Sequence, residues 1–188
     1  ATHGIDPKRA LGQNFLHDPN MLEKIVLSAD VTKADTVVEV GPGTGALTHI
    51  LAQNAGTVHS IELDQRLQDV LISELGIYDN VNFIWGDVLK TDIYTLLGDA
   101  PYLMVANVPY YITSAIIKHF LEYSPRPRRM ILTVQYELAE RICAEPNNMS
   151  LLAVSVQFYG RPHIITRMKP AVFWPRPDVD SAVLRIDV

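Results

Sequence analysis

Short apolar runs alternate with amphipathic segments of helical period along this chain of 188 residues, and this alternation constrains the fold more than any other feature. Strands that alternate with helices are typical of a parallel sheet covered by helices on both faces. The predicted strands are residues 36–40, 57–61, 81–85, 102–106 and 130–134, and the clearest helical segments between them are residues 65–75 and 114–123.

Both ends of the chain extend the pattern. Asp18 and Pro19 form a typical N-cap and first helical position, and the apolar residues that follow give one stripe: Met21, Leu22, Ile25 and Val26. Residues 163–168 and 182–188 predict two strands around a Pro-rich loop, which would close the sheet as an antiparallel pair. The expected fold is therefore one α/β domain with a mostly parallel seven-stranded sheet, an antiparallel final hairpin and helices on both faces.

Composition limits the class of protein in three ways. The chain is 48% hydrophobic, and its lone Cys143 excludes an intrachain disulfide and fits a reducing, cytoplasmic environment. No apolar run approaches the ~20 residues that cross a bilayer, and residues 1–9 lack the apolar core of a signal peptide, so we expect no membrane partner. The histidines lack metal-ligand spacing, so we expect no metal.

The formal charge of −5 argues against a protein that holds nucleic acid through its overall field. Basic residues nevertheless cluster, and two interpretations stay open: a local phosphate-binding face, or solvated loops. The clusters are Lys8 and Arg9; Arg126, Arg128 and Arg129; and Arg161, Arg167, Lys169 and Arg176.

A glycine-rich turn follows the first predicted strand of the sheet. Gly41, Gly43 and Gly45 permit a tight turn and let the backbone approach a ligand at the start of the next helix. An acidic residue, Glu62, ends the next strand, where it would accept hydrogen bonds from a ribose diol. The spacing indicates a nucleoside cofactor, but it also satisfies the dinucleotide fingerprint, so the identity of the cofactor stays open at this point.

Two further motifs follow the next two strands. Asp87 follows residues 81–85, at the edge of the sheet where its carboxylate could accept from the amino group of an adenine ring. Asn107, Val108, Pro109 and Tyr110 follow residues 102–106. Asn107 and the Val108 carbonyl can accept the two hydrogens of a planar amine, Pro109 stiffens the turn, and Tyr110 can stack on a base. These residues predict chemistry on a nucleobase nitrogen.

At these residues the chain resembles the Rossmann-like class I S-adenosylmethionine-dependent methyltransferases, and more closely the ribosomal RNA adenine N6-dimethyltransferases. The resemblance runs almost from end to end and is most specific at residues 13–16 and in the Pro-rich motif of residues 173–181. It implies an enzyme that uses S-adenosylmethionine, with cofactor contacts from Asn14, Leu16, Gly41, Gly43, Glu62, Asp87 and Asn107. The catalytic residues that it implies are Asn107, Val108, Pro109, Tyr110 and Phe173, the last as a second wall for the adenine.

The resemblance also implies a substrate and its alternatives. Gly12-Gln13 and the preceding Ala10-Leu11 resemble the branch that dimethylates two adjacent adenines near the 3′ end of small-subunit ribosomal RNA, acting on the immature small subunit as a monomer. The alternatives are the antibiotic-resistance branch that acts on large-subunit RNA, a non-catalytic RNA-binding or assembly protein on the same fold, and a DNA adenine methyltransferase.

The chain departs from the family pattern at three points. Val108 replaces the usual Leu, which leaves the backbone carbonyl in place. Tyr136 stands where Lys is common, which removes a candidate phosphate contact. The family continues into a small helical RNA-binding domain, whereas this sequence stops at Val188, so we expect residues 1–188 to be the catalytic domain without that C-terminal domain.

Overall fold

The computed structural model describes residues 12–123 and 125–188. Within these ranges the strands are β1 (Phe15–Leu16), β2 (Thr36–Val40), β3 (Thr57–Glu62), β4 (Val81–Trp85), β5 (Tyr102–Asn107), β6 (Arg129–Gln135), β7 (Arg161–Met168), β8 (Phe173–Trp174) and β9 (Ser181–Asp187). The α-helices are α1 (Pro19–Ala29), α2 (Ala46–Asn54), α3 (Gln68–Leu75), α4 (Ile93–Leu97), α5 (Thr113–Glu122), α6 (Tyr136–Ile142) and α7 (Leu151–Tyr159). Lys8, Arg9 and the Ala10-Leu11 pair lie outside the described residues.

Seven of these strands form one sheet in the order β4-β3-β2-β5-β6-β9-β7. The strands from β4 to β6 pair in parallel, and β9 is antiparallel to both of its neighbours, β6 and β7. The predicted parallel sheet and antiparallel final pair are thus confirmed. The chain order reverses between β2 and β5, so the loops that leave these two strands separate and open a crevice at the carboxyl edge.

Apolar side chains are buried on both faces of the sheet. One buried cluster includes Val38, Met104 and Leu132 with Ile116 of α5, and the other includes Val37, Val105 and Ile131 with Ile25 of α1. Alternate residues of the same strands thus face opposite cores, which is why these strands are apolar almost throughout. A sheet held from both sides gives the loops at its carboxyl edge a rigid base.

The observed helices agree with the predicted ones only in part. Asp18 caps α1 as expected, since its side chain accepts from the Met21 N–H and Pro19 takes the first position. The predicted helix 65–75 divides into a 3-10 turn and α3, because Asp64 caps the turn by accepting from the Arg66 N–H. Helix α7 was not predicted, because its sequence is apolar on almost every side and so shows no single apolar stripe. Leu151 and Phe158 of this helix are exposed.

None of the helices in the described ranges combines the length and the apolar character that crossing a bilayer would require.

Candidate functional site

A cavity lies in the crevice at the carboxyl edge of the sheet. The loops that follow β2, β3, β4 and β5 line it together with residues 12–16. Every residue expected to contact the cofactor is in this lining: Asn14, Leu16, Gly41, Gly43, Glu62, Asp87 and Asn107. Val108, Pro109 and Tyr110 also line it. The structure therefore brings the candidate cofactor residues and the turn 107–110 to one cavity.

The glycine-rich turn owes its shape to left-handed backbone conformations. Gly41 and Gly43 have φ values of 71° and 58°, which residues with a side chain rarely adopt. A Cβ on Gly43 would lie 2.9 Å from the Phe15 ring. The Gly43 N–H donates to Glu62 Oε2 at 3.2 Å, so the turn is fastened to the end of the neighbouring strand.

Glu62 is the buried carboxylate of the cavity. It is 6% exposed, and burial raises its pKa while hydrogen bonds from the Asp64 and Gly43 N–H groups oppose that rise. The Asp64 N–H donates to Oε1 at 2.8 Å. Each carboxylate oxygen has a further lone pair, so both can accept from a vicinal diol. The geometry suits the ribose of a nucleoside.

The two carboxylate oxygens of Asp87 have different roles: one caps a turn, and the other is available to a ligand in the cavity. Oδ1 accepts from the Leu89 N–H at 3.0 Å and thereby caps a 3-10 turn at Val88–Lys90. Oδ2 lies 3.9 Å from Lys90 Nζ, too far for a hydrogen bond. That oxygen can therefore accept from an amino group in the cavity.

Asn107 is held in a defined orientation. Its Nδ2 donates to the backbone carbonyl of Asn14 at 3.1 Å. A carbonyl can only accept, so the side-chain NH₂ must face Asn14 and the Oδ1 must face away. Within the described residues no group donates to Oδ1. Asn107 thus presents an acceptor, as holding an amine requires.

Tyr110 is fixed by its hydroxyl group. The hydroxyl lies 2.5 Å from Ser181 Oγ, and burial of the ring raises the pKa of Tyr110. The preceding Val108 side chain is buried, and the Pro109 carbonyl accepts from the Ile112 N–H. The chain is therefore anchored on both sides of the turn. No local pattern predicts the contact with Ser181, because the two residues are 71 positions apart.

Phe173 does not take the place expected for it. It is 1% exposed and packs in the core beside Leu16, Leu22 and Met168, and it is not part of the cavity lining. Its strand β8 pairs with β1, and Phe173 belongs to the buried cluster that includes Ile25 of α1. The expectation of a second aromatic wall at Phe173 is not met by this arrangement. Tyr111, which belongs to none of the predicted site residues, does line the cavity and is 66% exposed.

Among the described residues, four members of the basic clusters form ion pairs with acidic residues. Arg128 pairs with Asp35, and Arg129 pairs with Asp30 and Asp187. Arg167 and Lys169 both contact the Asp180 carboxylate, at 2.6 and 2.7 Å. The Tyr136 ring lies 4.2 Å from the Arg167 guanidinium, so the residue that departs from the family pattern makes a cation–π contact with one member of this ion pair.

Comparison with known proteins shows the family of this chain. A family model described as ribosomal RNA adenine dimethylase matches residues 5–188. The ribosomal RNA small subunit methyltransferase A of Dehalococcoides mccartyi strain CBDB1 is 46% identical over 183 residues, which cover 97% of this chain and 63% of that protein. The chain therefore spans less than two thirds of the length of this curated relative.

Solved structures show the same fold. A dimethyladenosine transferase from Plasmodium falciparum superposes with a TM-score of 0.79 at 30% identity, covering 92% of this chain and 62% of that one. The 23S rRNA methyltransferase ErmE superposes with a TM-score of 0.82, also at 30% identity, covering 92% of this chain and 69% of that one. The fold is that of the class I methyltransferases, and the chain belongs to the ribosomal RNA adenine dimethylase family.

Proposed function

We propose that this chain transfers methyl groups from S-adenosylmethionine to the N6 amino groups of two adjacent adenines near the 3′ end of small-subunit ribosomal RNA, a step in ribosome biogenesis. One observation carries the proposal: the nucleoside-type site and the turn 107–110 line the same cavity. The small subunit is favoured over the large one because the relative at 46% identity is named for the small subunit, whereas ErmE is 30% identical.

The cavity residues fit S-adenosylmethionine. Glu62 would accept from the ribose hydroxyls, and Asp87 Oδ2 would accept from the adenine amino group. Gly41 and Gly43 leave room for the ligand beside the backbone, while Asn14, Leu16 and Asn107 complete its surroundings. When bound, the sulfonium group supplies an activated methyl.

The turn 107–110 prepares the acceptor nitrogen. The lone pair of an adenine amino nitrogen is delocalised into the ring, which makes the nitrogen a poor nucleophile. Hydrogen bonds from its two hydrogens to Asn107 Oδ1 and the Val108 carbonyl would favour a pyramidal nitrogen with its lone pair directed at the methyl group. Because Asn107 is already oriented by Asn14, little reorganisation is needed when the substrate enters.

Tyr110 would hold the extruded adenine by stacking, and its electron-rich face tolerates the positive charge that develops on the nitrogen. The proton becomes acidic only after methyl transfer, so the turn needs no strong base. Rotation about the carbon–nitrogen bond would then present the same nitrogen for a second methyl. In this proposal the chain acts as a monomeric catalytic domain on immature small subunits in the cytoplasm.

Calorimetric titration with S-adenosylmethionine, followed by methyl transfer to unmethylated small ribosomal subunits, tests the proposal. We expect Asp87→Ala to weaken cofactor binding at least about tenfold, since an acceptor in the cavity lining is lost. We expect Asn107→Ala to keep most of the cofactor affinity but to lower transfer by about 100-fold or more, because one charge-orienting contact is worth ~3 kcal/mol.

Asp92→Ala is the matched control for Asp87. Asp92 also caps a short helix, by accepting from the Thr95 N–H, but it lies outside the cavity lining. Its loss should leave cofactor binding unchanged. Absence of cofactor binding by the unsubstituted chain, or unchanged turnover in Asn107→Ala, would contradict the proposal.

A further inference from the structure

The Tyr110 hydroxyl and Ser181 Oγ lie 2.5 Å apart and connect two motifs that are distant in sequence. Tyr110 belongs to the turn that would hold the target amine, and Ser181 ends the Pro-rich motif. Ser181 is 0% exposed, whereas Tyr110 is partly exposed and lines the cavity. A buried group therefore holds the tip of a ring whose other parts face the cavity.

Ser181 is a rigid support. It begins β9 and pairs with Gln135 of β6 on one side and with Met168 of β7 on the other. The preceding residue, Asp180, is fastened twice: its carboxylate contacts Arg167 and Lys169, and its carbonyl accepts from the Tyr136 N–H. The Ser181 hydroxyl therefore has little freedom to move.

Tyr110, by contrast, opens a short 3-10 turn and lacks the support of a sheet. Fixing the hydroxyl of a tyrosine restricts rotation about its Cα–Cβ bond, and that rotation sets where the ring lies. If the ring stacks on an extruded adenine, the position of the ring before binding decides how often the adenine amine meets Asn107 in a reactive geometry. Misplacement of a reacting group by about 1 Å can slow a reaction about 100-fold, because positioning supplies much of the rate in such a site.

We propose that Ser181 is a positioning residue, which holds the Tyr110 ring in the position for stacking through the hydroxyl–hydroxyl hydrogen bond. This inference rests on the proposed methyl transfer to adenine. It assigns a role in the reaction to the Pro-rich motif through Ser181 rather than through Phe173.

A double-mutant cycle tests the inference. The variants are Ser181→Ala, Tyr110→Phe and the double variant, and methyl transfer to unmethylated small subunits is measured for each beside cofactor affinity. We expect each single variant to lower kcat about tenfold, as the loss of one orienting hydrogen bond implies, with cofactor affinity unchanged. Because both substitutions remove the same bond, the double variant should be no slower than either single one.

Ser150→Ala provides the structural control. Ser150 caps α7 by accepting from the Ala153 N–H, away from the cavity lining. This variant also loses one hydroxyl hydrogen bond, so its loss of stability should resemble that of Ser181→Ala, but its kcat should not change. A kcat that falls in proportion to stability in all variants would show a merely structural role for Ser181.

The outcomes separate this inference from the proposed function. No transfer by the unsubstituted chain would contradict the proposed function, and this inference with it. Normal transfer by the unsubstituted chain and by Ser181→Ala, or effects of the two substitutions that multiply to about 100-fold in the double variant, would overturn the inference alone.

Discussion

Gly43 contacts both the Phe15 ring, whose close approach requires the missing side chain, and the Glu62 carboxylate, through its backbone N–H. Its φ of 58° keeps its N–H directed at Glu62. Nearby, Glu39 of β2 is buried with one carboxylate oxygen, Oε1, that has no hydrogen-bond partner among the described residues. A left-handed backbone conformation and an unpartnered buried oxygen thus occur in β2 and the turn that follows it.

Gly43→Ala should weaken cofactor binding. The new Cβ would press on the Phe15 ring at 2.9 Å, and the left-handed backbone would cost ~1–2 kcal/mol. We expect cofactor affinity, measured by calorimetry, to fall at least about tenfold. Gly98→Ala is the control, because Gly98 also has a positive φ but its Cβ would meet nothing within 4 Å. Equal loss of affinity in both variants would contradict this explanation.

Glu39 should make stability depend on pH. Burial raises its pKa to about 7, although Ser60 and Thr48 donate to Oε2 and oppose the rise. The folded state therefore keeps a proton that the unfolded state releases above about pH 4.5. The stabilisation from this group is complete below that pH and is lost as pH rises through about 7.

Glu39→Gln should remove this pH dependence. Its free energy of unfolding, measured by denaturant titration between about pH 5 and 8, should fall with pH less steeply than that of the unsubstituted chain, by up to ~3 kcal/mol across the range. The exposed Glu23 of α1 offers a control, since Glu23→Gln should leave the slope as it is. An unchanged slope in Glu39→Gln would show that Glu39 does not titrate in this range.

At the scale of elements, the ribbon of β1 and β8 joins the two motifs that are most specific to the family. Phe15 pairs with Trp174 and Leu16 with Phe173. Each strand has only two residues, so neither could be predicted from alternation, and the pairing joins parts of the chain that are remote in sequence. The ribbon places Leu16 in the cavity lining and Phe173 in the core.

Phe173→Leu should therefore change stability more than catalysis. A leucine keeps most of the apolar contact, so we expect a loss of ~1 kcal/mol in the free energy of unfolding and a kcat within about threefold of the original. Tyr110→Leu, compared in the same assay, should lose most of its transfer. A large fall in kcat with unchanged stability in Phe173→Leu would restore the role of an aromatic wall.

At the scale of the whole molecule, many basic side chains form ion pairs with acidic side chains of the same chain. Arg185 joins Arg129 in contacts with Asp30 and Asp187, and these contacts fasten β9 to the C-terminal end of α1. Four of the cations that the sequence offered as a phosphate-binding face are thus engaged in ion pairs: Arg128, Arg129, Arg167 and Lys169. The net charge of −5 adds no attraction for RNA.

RNA affinity of this chain should depend only weakly on salt. If about two phosphates are contacted, raising the salt from about 50 to 200 mM should weaken binding about tenfold or less, against about a thousandfold for six or more contacts. Binding of small-subunit RNA fragments at a series of salt concentrations gives the slope directly. A steep slope would contradict this expectation.

Local sequence patterns are enough to predict the layers of the fold and most of the candidate site. Apolar runs of strand length and helical stripes depend on local periodicity, and the ligand loops follow the strands directly, so Gly41, Glu62, Asp87 and Asn107 can be located from the amino-acid sequence alone. Parallel strands bring their carboxyl ends to one edge, which is why residues far apart along the chain can be expected to meet.

Contacts between remote segments, in contrast, are set by the tertiary arrangement. The Asn14 carbonyl orients the Asn107 amide, Ser181 fixes the Tyr110 hydroxyl, and the β1–β8 pairing buries Phe173. None of these contacts has a local signature, because each depends on where two separate elements come to rest against the same sheet. The same reason explains Glu39, whose burial between β3 and α2 no pattern in its own strand could reveal.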